Sequence, residues 1–228
     1  MHIKDVKTRE PQYRSLLEVK DKVGQVPLGL MTNQVWHDDP KRLLFVLSRY
    51  KFVAKMLSGK KRVLEIGCGD AFGTRIVAQE VAHVCAVDFD PIFIKDIKDR
   101  MIEKFAFEAQ EHDILSGPVK GAFDAAYSID VIEHIFKKDE DAYMRHVVDS
   151  LKRPGIFIVG TPTIQSQIHA SPGSKEGHVN CKDYQELKAL MGRYFEDVFI
   201  FSMNDELVHT GFYPMAHYLF AIGVGKKE

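Results

Sequence analysis

A chain of 228 residues, 45% hydrophobic and 28% charged, has the size and balance of one α/β domain with an added segment, which excludes a disordered or fibrous class. Its formal net charge of −1 and its scattered short basic pieces exclude the basic stripe of a nucleic-acid binder, so no nucleic-acid partner is expected. No apolar run reaches about 18 residues and the polar N-terminus lacks an apolar leader core, so neither a membrane partner nor a secretory signal is expected.

Residues 1–30 are polar and broken by Pro11, Gly24, Pro27 and Gly29; they read as one short helix and then a loop. A helix is predicted from Asp38 or Asp39 to Leu57. Asp39 before Pro40 supplies an N-cap and a first-turn proline, and Leu43, Leu44, Leu47, Val53, Ala54 and Leu57 form a stripe at helical spacing. From Lys61 the pattern alternates. RVLEI (62–66) is a strand, 71–80 a helix, HVCAVDF (83–89) a strand, and 91–104 a helix opened by Pro91. AFEAQEHD (106–113) and FDAAYSI (123–129) are strands, 139–151 is a helix, and GIFIVGTP (155–162) is a strand after a turn at 152–155. A helix at 182–194 and the runs VFIFSM (198–203) and MAHYLFAIGV (215–224) close the chain. This alternation predicts a doubly wound, Rossmann-like α/β fold with a seven-stranded, mostly parallel sheet. No helix separates the last two strands, so they are expected to pair antiparallel at an edge.

In such sheets ligands bind beyond the carboxyl ends of the strands, where the strand order switches. The turn after the first strand, VLEIGCGDAFGT (63–74), is a cofactor loop by position. Gly67 and Gly69 fit a dinucleotide fingerprint, but its third small residue is replaced by Phe72, and no phosphate loop is present.

The Glu65-x-Gly67-Cys68-Gly69 pattern instead resembles the first motif of the class I S-adenosylmethionine-dependent methyltransferases. The resemblance continues in order through AVDFD with Asp88, HDI at 112–114, FDAAYSIDVIEHI (123–135) and LKRPGIFIVGTP (151–162), and covers about Lys61 to Pro162. It implies S-adenosylmethionine as cofactor, with Gly67 and Gly69 against its amino-acid portion and ribose, Cys68 among the contacts, Glu65 either fixing the loop or meeting the cofactor's ammonium, and Asp88 on the ribose hydroxyls. It also implies Phe89 along the adenine face, Asp113 and Ile114 near the adenine amino group, and Asp130 close by. It divides the chain into a helical lid segment, 1–60, and an S-adenosylmethionine-binding methyltransferase domain, 61–228. Trp36, before the first long helix, and Arg49, inside it, are candidate cofactor contacts of the lid; Arg49 suits a carboxylate, and a solvated helix face is the alternative.

Methyl transfer needs a nucleophile aligned with the methyl–sulfur bond, and a base where that nucleophile carries a proton. His134, after the fourth strand, and His178, before the 182–194 helix, are the catalytic candidates; Asn180 reads as a cap of that helix. The Asp130-x-x-Glu133-His134 run also resembles that of the ubiquinone-pathway O-methyltransferases, where a similar run is associated with metal. The metal-free case is the expectation, and a site of Asp130, Glu133 and His134 is the alternative. SRYKFVAKMLSGKKRVLEIGCG (48–69) resembles sugar-modifying methyltransferases.

The expected partner is therefore a small-molecule acceptor, methylated on an oxygen of a sugar, polyol or phenol, with carbohydrates among the candidates. N- or C-methylation and a non-catalytic cofactor-binding subunit stay open, as does a homodimer. Cys68, Cys85 and Cys181 are odd in number and lack CxxC spacing, which fits reduced thiols in a cytoplasmic protein.

Overall fold

One sheet of eight strands, in the order β3-β2-β1-β4-β5-β8-β6-β7, organises the computed structural model, which describes residues 8–227. The first seven residues, where the absence of a leader is expected and the 1–60 segment begins, lie outside the described residues, as does Glu228. The strands are β1 (Val63–Ile66), β2 (Val84–Asp88), β3 (Glu108–Glu111), β4 (Phe123–Ile129), β5 (Leu151–Pro162), β6 (Phe195–Asn204), β7 (Leu207–His209) and β8 (Tyr218–Lys226). The pairs among β1 to β5 are parallel, and β8 runs antiparallel between β5 and β6. The last two long strands pair as expected, but β8 is internal. The eighth strand is β7, three residues that fold back on β6 through Asp205 at φ 49°; ELVH is too short and too mixed to read as a strand.

The helices are α1 (Arg14–Val23), α2 (Leu30–Asp38), α3 (Arg42–Met56), α4 (Thr74–Val77), α5 (Pro91–Arg100), α6 (Glu140–Ser150), α7 (Pro172–Gly177) and α8 (Tyr184–Gly192). Several boundaries differ from the sequence reading for local reasons. The segment read as a loop before Asp38 contains α2, whose last turn takes Asp39 as its C-cap, bonded to the Val35 carbonyl; α3 therefore starts later, at Arg42. The 71–80 helix shrinks to α4, because the turn holds Ala71 at φ 51° and the Thr74 hydroxyl is drawn inward. Helix α8 is capped by Asp183, which forms a reciprocal box with Glu186, and not by Asn180.

All of β1 is buried, as a strand covered on both faces must be. Leu64 and Ile66 enter the core under α6 and α8, while Val63 packs with Tyr50, Val53 and Ala54 of α3. Between Val63 and Ile66 lies Glu65, 1% exposed, on the α3 side. Its Oε1 accepts from the Tyr50 hydroxyl (2.9 Å), and its Oε2 accepts from Thr74 (2.5 Å) and Tyr127 (2.8 Å). Helix α3, the glycine turn and β4 are thus fastened to one carboxyl group.

Burial pushes the Glu65 pKa up to about 7 from 4.5, and the bonds from Thr74, Tyr127 and Tyr50 limit the rise. The folded protein therefore keeps a proton that the unfolded chain releases above about pH 4.5. The resulting stability is full below that pH and declines until the folded state also ionises near pH 7, a loss on the order of 3 kcal/mol at ~1.4 kcal/mol per pH unit. Glu65→Gln keeps hydrogen-bonding capacity and removes the titration. Denaturant unfolding at pH 5 and pH 7 should show a larger loss in the wild type than in the variant; equal losses would refute the assignment.

Candidate active site

The strand order reverses between β1 and β4, and two cavities open there at the strand ends, of about 560 Å³ and 600 Å³. The glycine turn forms the ridge between them. Its first amides, of Gly67 and Cys68, both donate to the Val87 carbonyl (2.8 and 3.0 Å), which binds the turn to β2. Gly67 and Gly69 have φ of +68° and +52°. A Cβ at Gly67 would lie 2.5 Å from Val131 Cγ2, so that position needs glycine for its space and for its backbone; at Gly69, where the nearest atom is the flexible Met31 Sδ at 2.7 Å, the left-handed backbone is the reason for glycine. Asp88 Oδ2 accepts from the Gly69 amide (2.8 Å) and Oδ1 from the Asp90 amide (3.0 Å).

The 560 Å³ cavity brings together Gly67, Gly69, Asp88, Phe89, Asp113, Ile114 and Asp130, seven of the expected cofactor residues. Phe89 is 71% exposed at its rim. Asp113 caps the short turn Ile114–Ser116 by accepting from the Leu115 amide (2.8 Å). The sequence reading misses Phe93, Val131 and Phe136 on the same walls. Phe93 stands in α5, outside the motifs, and Phe136 directly follows the fourth-strand motif; neither has a residue type or spacing that marks it as a cavity wall.

Glu65 takes the loop-fixing one of its two expected roles, and Trp36 stands differently from expectation. Both Glu65 oxygens are occupied by protein hydroxyls and the side chain is buried, so it shapes the turn from behind. Trp36 is 56% exposed and lines neither cavity; α2 presents Met31 and Val35, one turn apart, to the 600 Å³ cavity instead. Helix α2 is fixed over the turn by the Thr32 amide, which donates to buried Asp70 (2.7 Å).

The 600 Å³ cavity contains Cys68, Arg49, Asp130, Glu133, His134 and His178. Arg49 Nη1 donates to Asp130 Oδ2 at 2.6 Å, and its guanidinium lies 3.8 Å from the centre of the Tyr218 ring. Arg49 is therefore engaged by a side-chain carboxylate of the chain itself. Asp130 ends β4 at φ 56°, a left-handed conformation rare for a non-glycine residue and one that points to a constrained site.

Asp130, Glu133 and His134 do not form the joint donor set considered from sequence. One donor atom from each of Glu133, His134 and His178 lies within 4.8 Å of the others, with Asp130 turned to Arg49. Glu133 is fully buried; Thr161 donates to its Oε2 (3.1 Å) and Oε1 has no partner. Burial, then the nearby Asp130 charge, raises its pKa well above the ordinary carboxyl value. The His134 and His178 rings lie 5.2 Å apart. His134 Nδ1 is 2.9 Å from the Gly177 carbonyl and His178 Nδ1 is 2.8 Å from Gln167 Oε1. Both partners are acceptors, so each Nδ1 donates to its partner. Burial, then His134 and Arg42, lowers the His178 pKa, which keeps it neutral near pH 7.

No helix among the described residues is long and apolar enough to cross a membrane, and Cys68, Cys85 and Cys181 are all free.

A family profile described as a methyltransferase domain matches residues 63–155, from β1 into the start of β5. A probable S-adenosylmethionine-dependent methyltransferase of Mycobacterium tuberculosis is 29% identical over 128 residues, 56% of this chain and 43% of that protein. The ubiquinone biosynthesis O-methyltransferase of Xanthomonas axonopodis pv. citri is 28% identical over 138 residues, 58% of this chain and 57% of that protein. The chain spans about half the length of the curated relatives it matches. Among solved structures, the methyltransferase domain of bacterial CtHen1-C superposes with a TM-score of 0.66 at 16% identity, covering 80% of this chain and 100% of that one. The N-methyltransferase NodS from Bradyrhizobium japonicum superposes at 0.60 and 15% identity, covering 83% and 99%. At such identities the superpositions speak for the fold, which serves more than one acceptor atom. Sequence profile, ordered motifs and sheet topology agree on a methyltransferase-like domain over residues 63–155, similar to S-adenosylmethionine-dependent methyltransferases.

Proposed function

We propose that this protein transfers the methyl group of S-adenosylmethionine to a hydroxyl oxygen of a small polar acceptor. The observation that carries this reading is the meeting of the two cavities at Gly67, Gly69, Asp130 and His134, with the Glu133–His134–His178 cluster on the far side of that junction. S-adenosylmethionine, when bound, supplies an activated methyl on a sulfonium. The turn fits it: the cradle at Gly67 has no room for a Cβ, and Asp88 is an acid suited to a cis-diol. The remaining work belongs to the chain, which must orient the acceptor oxygen and receive its proton.

Both histidines line the same cavity, and either can act as the base through its Nε2. The acceptor side is lined by Gln34, Arg42, Ser171, Ser174 and His178, polar groups that suit a hydroxyl-rich molecule such as a sugar, polyol or phenol. The name of the O-methyltransferase relative supports oxygen as the acceptor atom. Three free thiols are compatible with action in the cytoplasm.

A second reading of the cluster is favoured by the unpartnered, buried Glu133 Oε1. Together with two imidazoles whose Nδ1 atoms are already bonded, it forms a donor set suited to a divalent cation. A cation held by Glu133, His134 and His178 would lower the pKa of an acceptor hydroxyl. In that reading Gly177 and Gln167 orient the ligating rings.

Cofactor binding is tested apart from catalysis. S-adenosylhomocysteine should raise the melting temperature by mass action, and Asp88→Ala should reduce the shift; a larger shift with NAD would sink the assignment.

Turnover, read as S-adenosylhomocysteine release with catechol and hexose acceptors, tests the cluster. A lost base should lower the rate by roughly 10²–10⁴-fold in His134→Ala or His178→Ala, with S-adenosylhomocysteine affinity retained. Full activity in excess EDTA eliminates the cation. Loss in EDTA with recovery in Mn²⁺ or Zn²⁺, and equal failure of Glu133→Gln, His134→Ala and His178→Ala, selects it. Rates within about twofold of wild type in both histidine variants, far inside the range for a lost base, would leave orientation as the whole mechanism.

A further inference from the structure

His178 reaches the cluster from the segment between α7 and α8, far along the chain from Glu133 and His134. Two backbone amides, of Val179 and Asn180, converge on the Glu133 carbonyl at 2.8 and 3.0 Å. The side chains behind them form a buried, charged knot. Lys182 is 2% exposed and Glu140, at the first residue of α6, is 3% exposed. Lys182 Nζ lies 2.5 Å from Glu140 Oε2 and donates to Asn180 Oδ1 at 2.6 Å, while Asn180 Nδ2 donates to Glu140 Oε2 at 3.0 Å. Glu140 Oε1 meets Lys137 at 2.9 Å from the solvent side. Downstream, the Lys182 carbonyl accepts from the Ile164 amide, which joins the segment to the end of β5.

A buried lysine–carboxylate pair is a poor device for stability alone, because its desolvation consumes most of its attraction. Its virtue is geometric: Glu140 Oε2, Lys182 Nζ and the Asn180 side chain bond one another in a closed triangle, while Lys137 and Arg193 reach only the other oxygen, Oε1. We propose that Lys182, through Glu140 and Asn180, is a positioning residue that holds the 177–182 segment on the Glu133–His134 turn and so sets the His178 ring beside the His134 ring. The assignment concerns the same site as the proposed methyl transfer and rests on that reading for its purpose, but the geometry can be measured without turnover.

The experiment is the ring-to-ring nuclear Overhauser effect between His134 and His178 in histidine-labelled protein, with melting temperature and S-adenosylhomocysteine binding measured alongside. Wild type should show the effect expected of rings 5.2 Å apart. Lys182→Met should abolish it and raise hydrogen exchange at the Val179 and Asn180 amides about tenfold, while S-adenosylhomocysteine affinity is kept. Lys137→Met, which removes a solvent-side partner of the same carboxylate, should leave it intact. Should Lys182→Met fail to fold, Lys182→Met/Glu140→Gln leaves no unpaired buried charge and is read in the same way. Persistence of the ring-to-ring effect in the Lys182 variants, or its equal loss in Lys137→Met, would overturn the assignment, as would its absence from wild type. If the effect disappears in Lys182→Met while turnover is unchanged in His178→Ala, the catalytic reading fails and the positioning stands.

Discussion

A single carboxyl group behind the glycine turn sets much of what the cofactor side can do. Glu65 projects from the central strand into a fully buried position, where an unpartnered acid would cost several kcal/mol. Two tyrosines and a threonine answer that demand, and each belongs to a different element: α3, β4 and the start of α4. The cost of burying the acid is thereby converted into a geometric constraint. Neither helix α3 nor the turn can shift without exposing hydroxyls that have no other partner. The turn in front of Glu65 has its own ties, from Gly67 and Cys68 to the Val87 carbonyl and from Gly69 to Asp88. It is held from both sides, and pre-organised backbone of this kind binds a ligand without first having to be ordered.

The acceptor side uses a different principle. There the turn at Ile132–His134, the segment at 177–182 and the end of β5 come from distant parts of the chain, and what joins them is a buried ionic network. Glu133 serves twice: its carbonyl receives the Val179 and Asn180 amides, and its carboxyl faces the histidines. A backbone contact and a chemical group on one residue couple the shape of the pocket to its reactivity.

These two principles explain what can be read from the sequence. The cofactor half is local. Its residues sit at strand ends in fixed order, so the alternation of strand and helix is enough to place Gly67, Gly69, Asp88, Asp113 and Ile114 at one cavity. Glu65 is legible as a site residue, but its role depends on Tyr50 and Tyr127, whose hydroxyls point inward only because of register and helix packing. Helix α2 escapes a sequence reading because it buries no apolar stripe, Thr32 being its one buried residue, and its anchor, Asp70, lies far along the chain. The pairing of His178 with His134 is invisible in the sequence as geometry, although each histidine stands out by itself. Asn180 has the residue type and place of a helix cap, yet Asp183 fills that role and Asn180 is part of the network around Lys182. Short-range chemistry leaves a signature in spacing; a contact between residues some forty positions apart does not.

The Arg49–Asp130 pair adds a last constraint on the proposed reaction. Asp130 stands where the two cavities meet, held in a left-handed conformation, and a free carboxylate there would stabilise a neighbouring positive charge. Transfer of a methyl group from a sulfonium to a neutral oxygen disperses that charge, so such a carboxylate would favour the starting state over the transition state and slow the step. Arg49 sits 2.6 Å from Asp130 with only 14% of its side chain exposed, and it engages the acid's charge within the protein. Asp130 can then act as a fixed hydrogen-bond acceptor and a steric edge of the junction, and the ionic partner supplied by α3 ties that edge to the same helix that Tyr50 fastens to Glu65. The helix thus reaches both halves of the candidate site: one side chain braces the glycine turn, and another, one residue earlier, pairs with the acid that stands where, in the proposed reaction, the methyl group would pass.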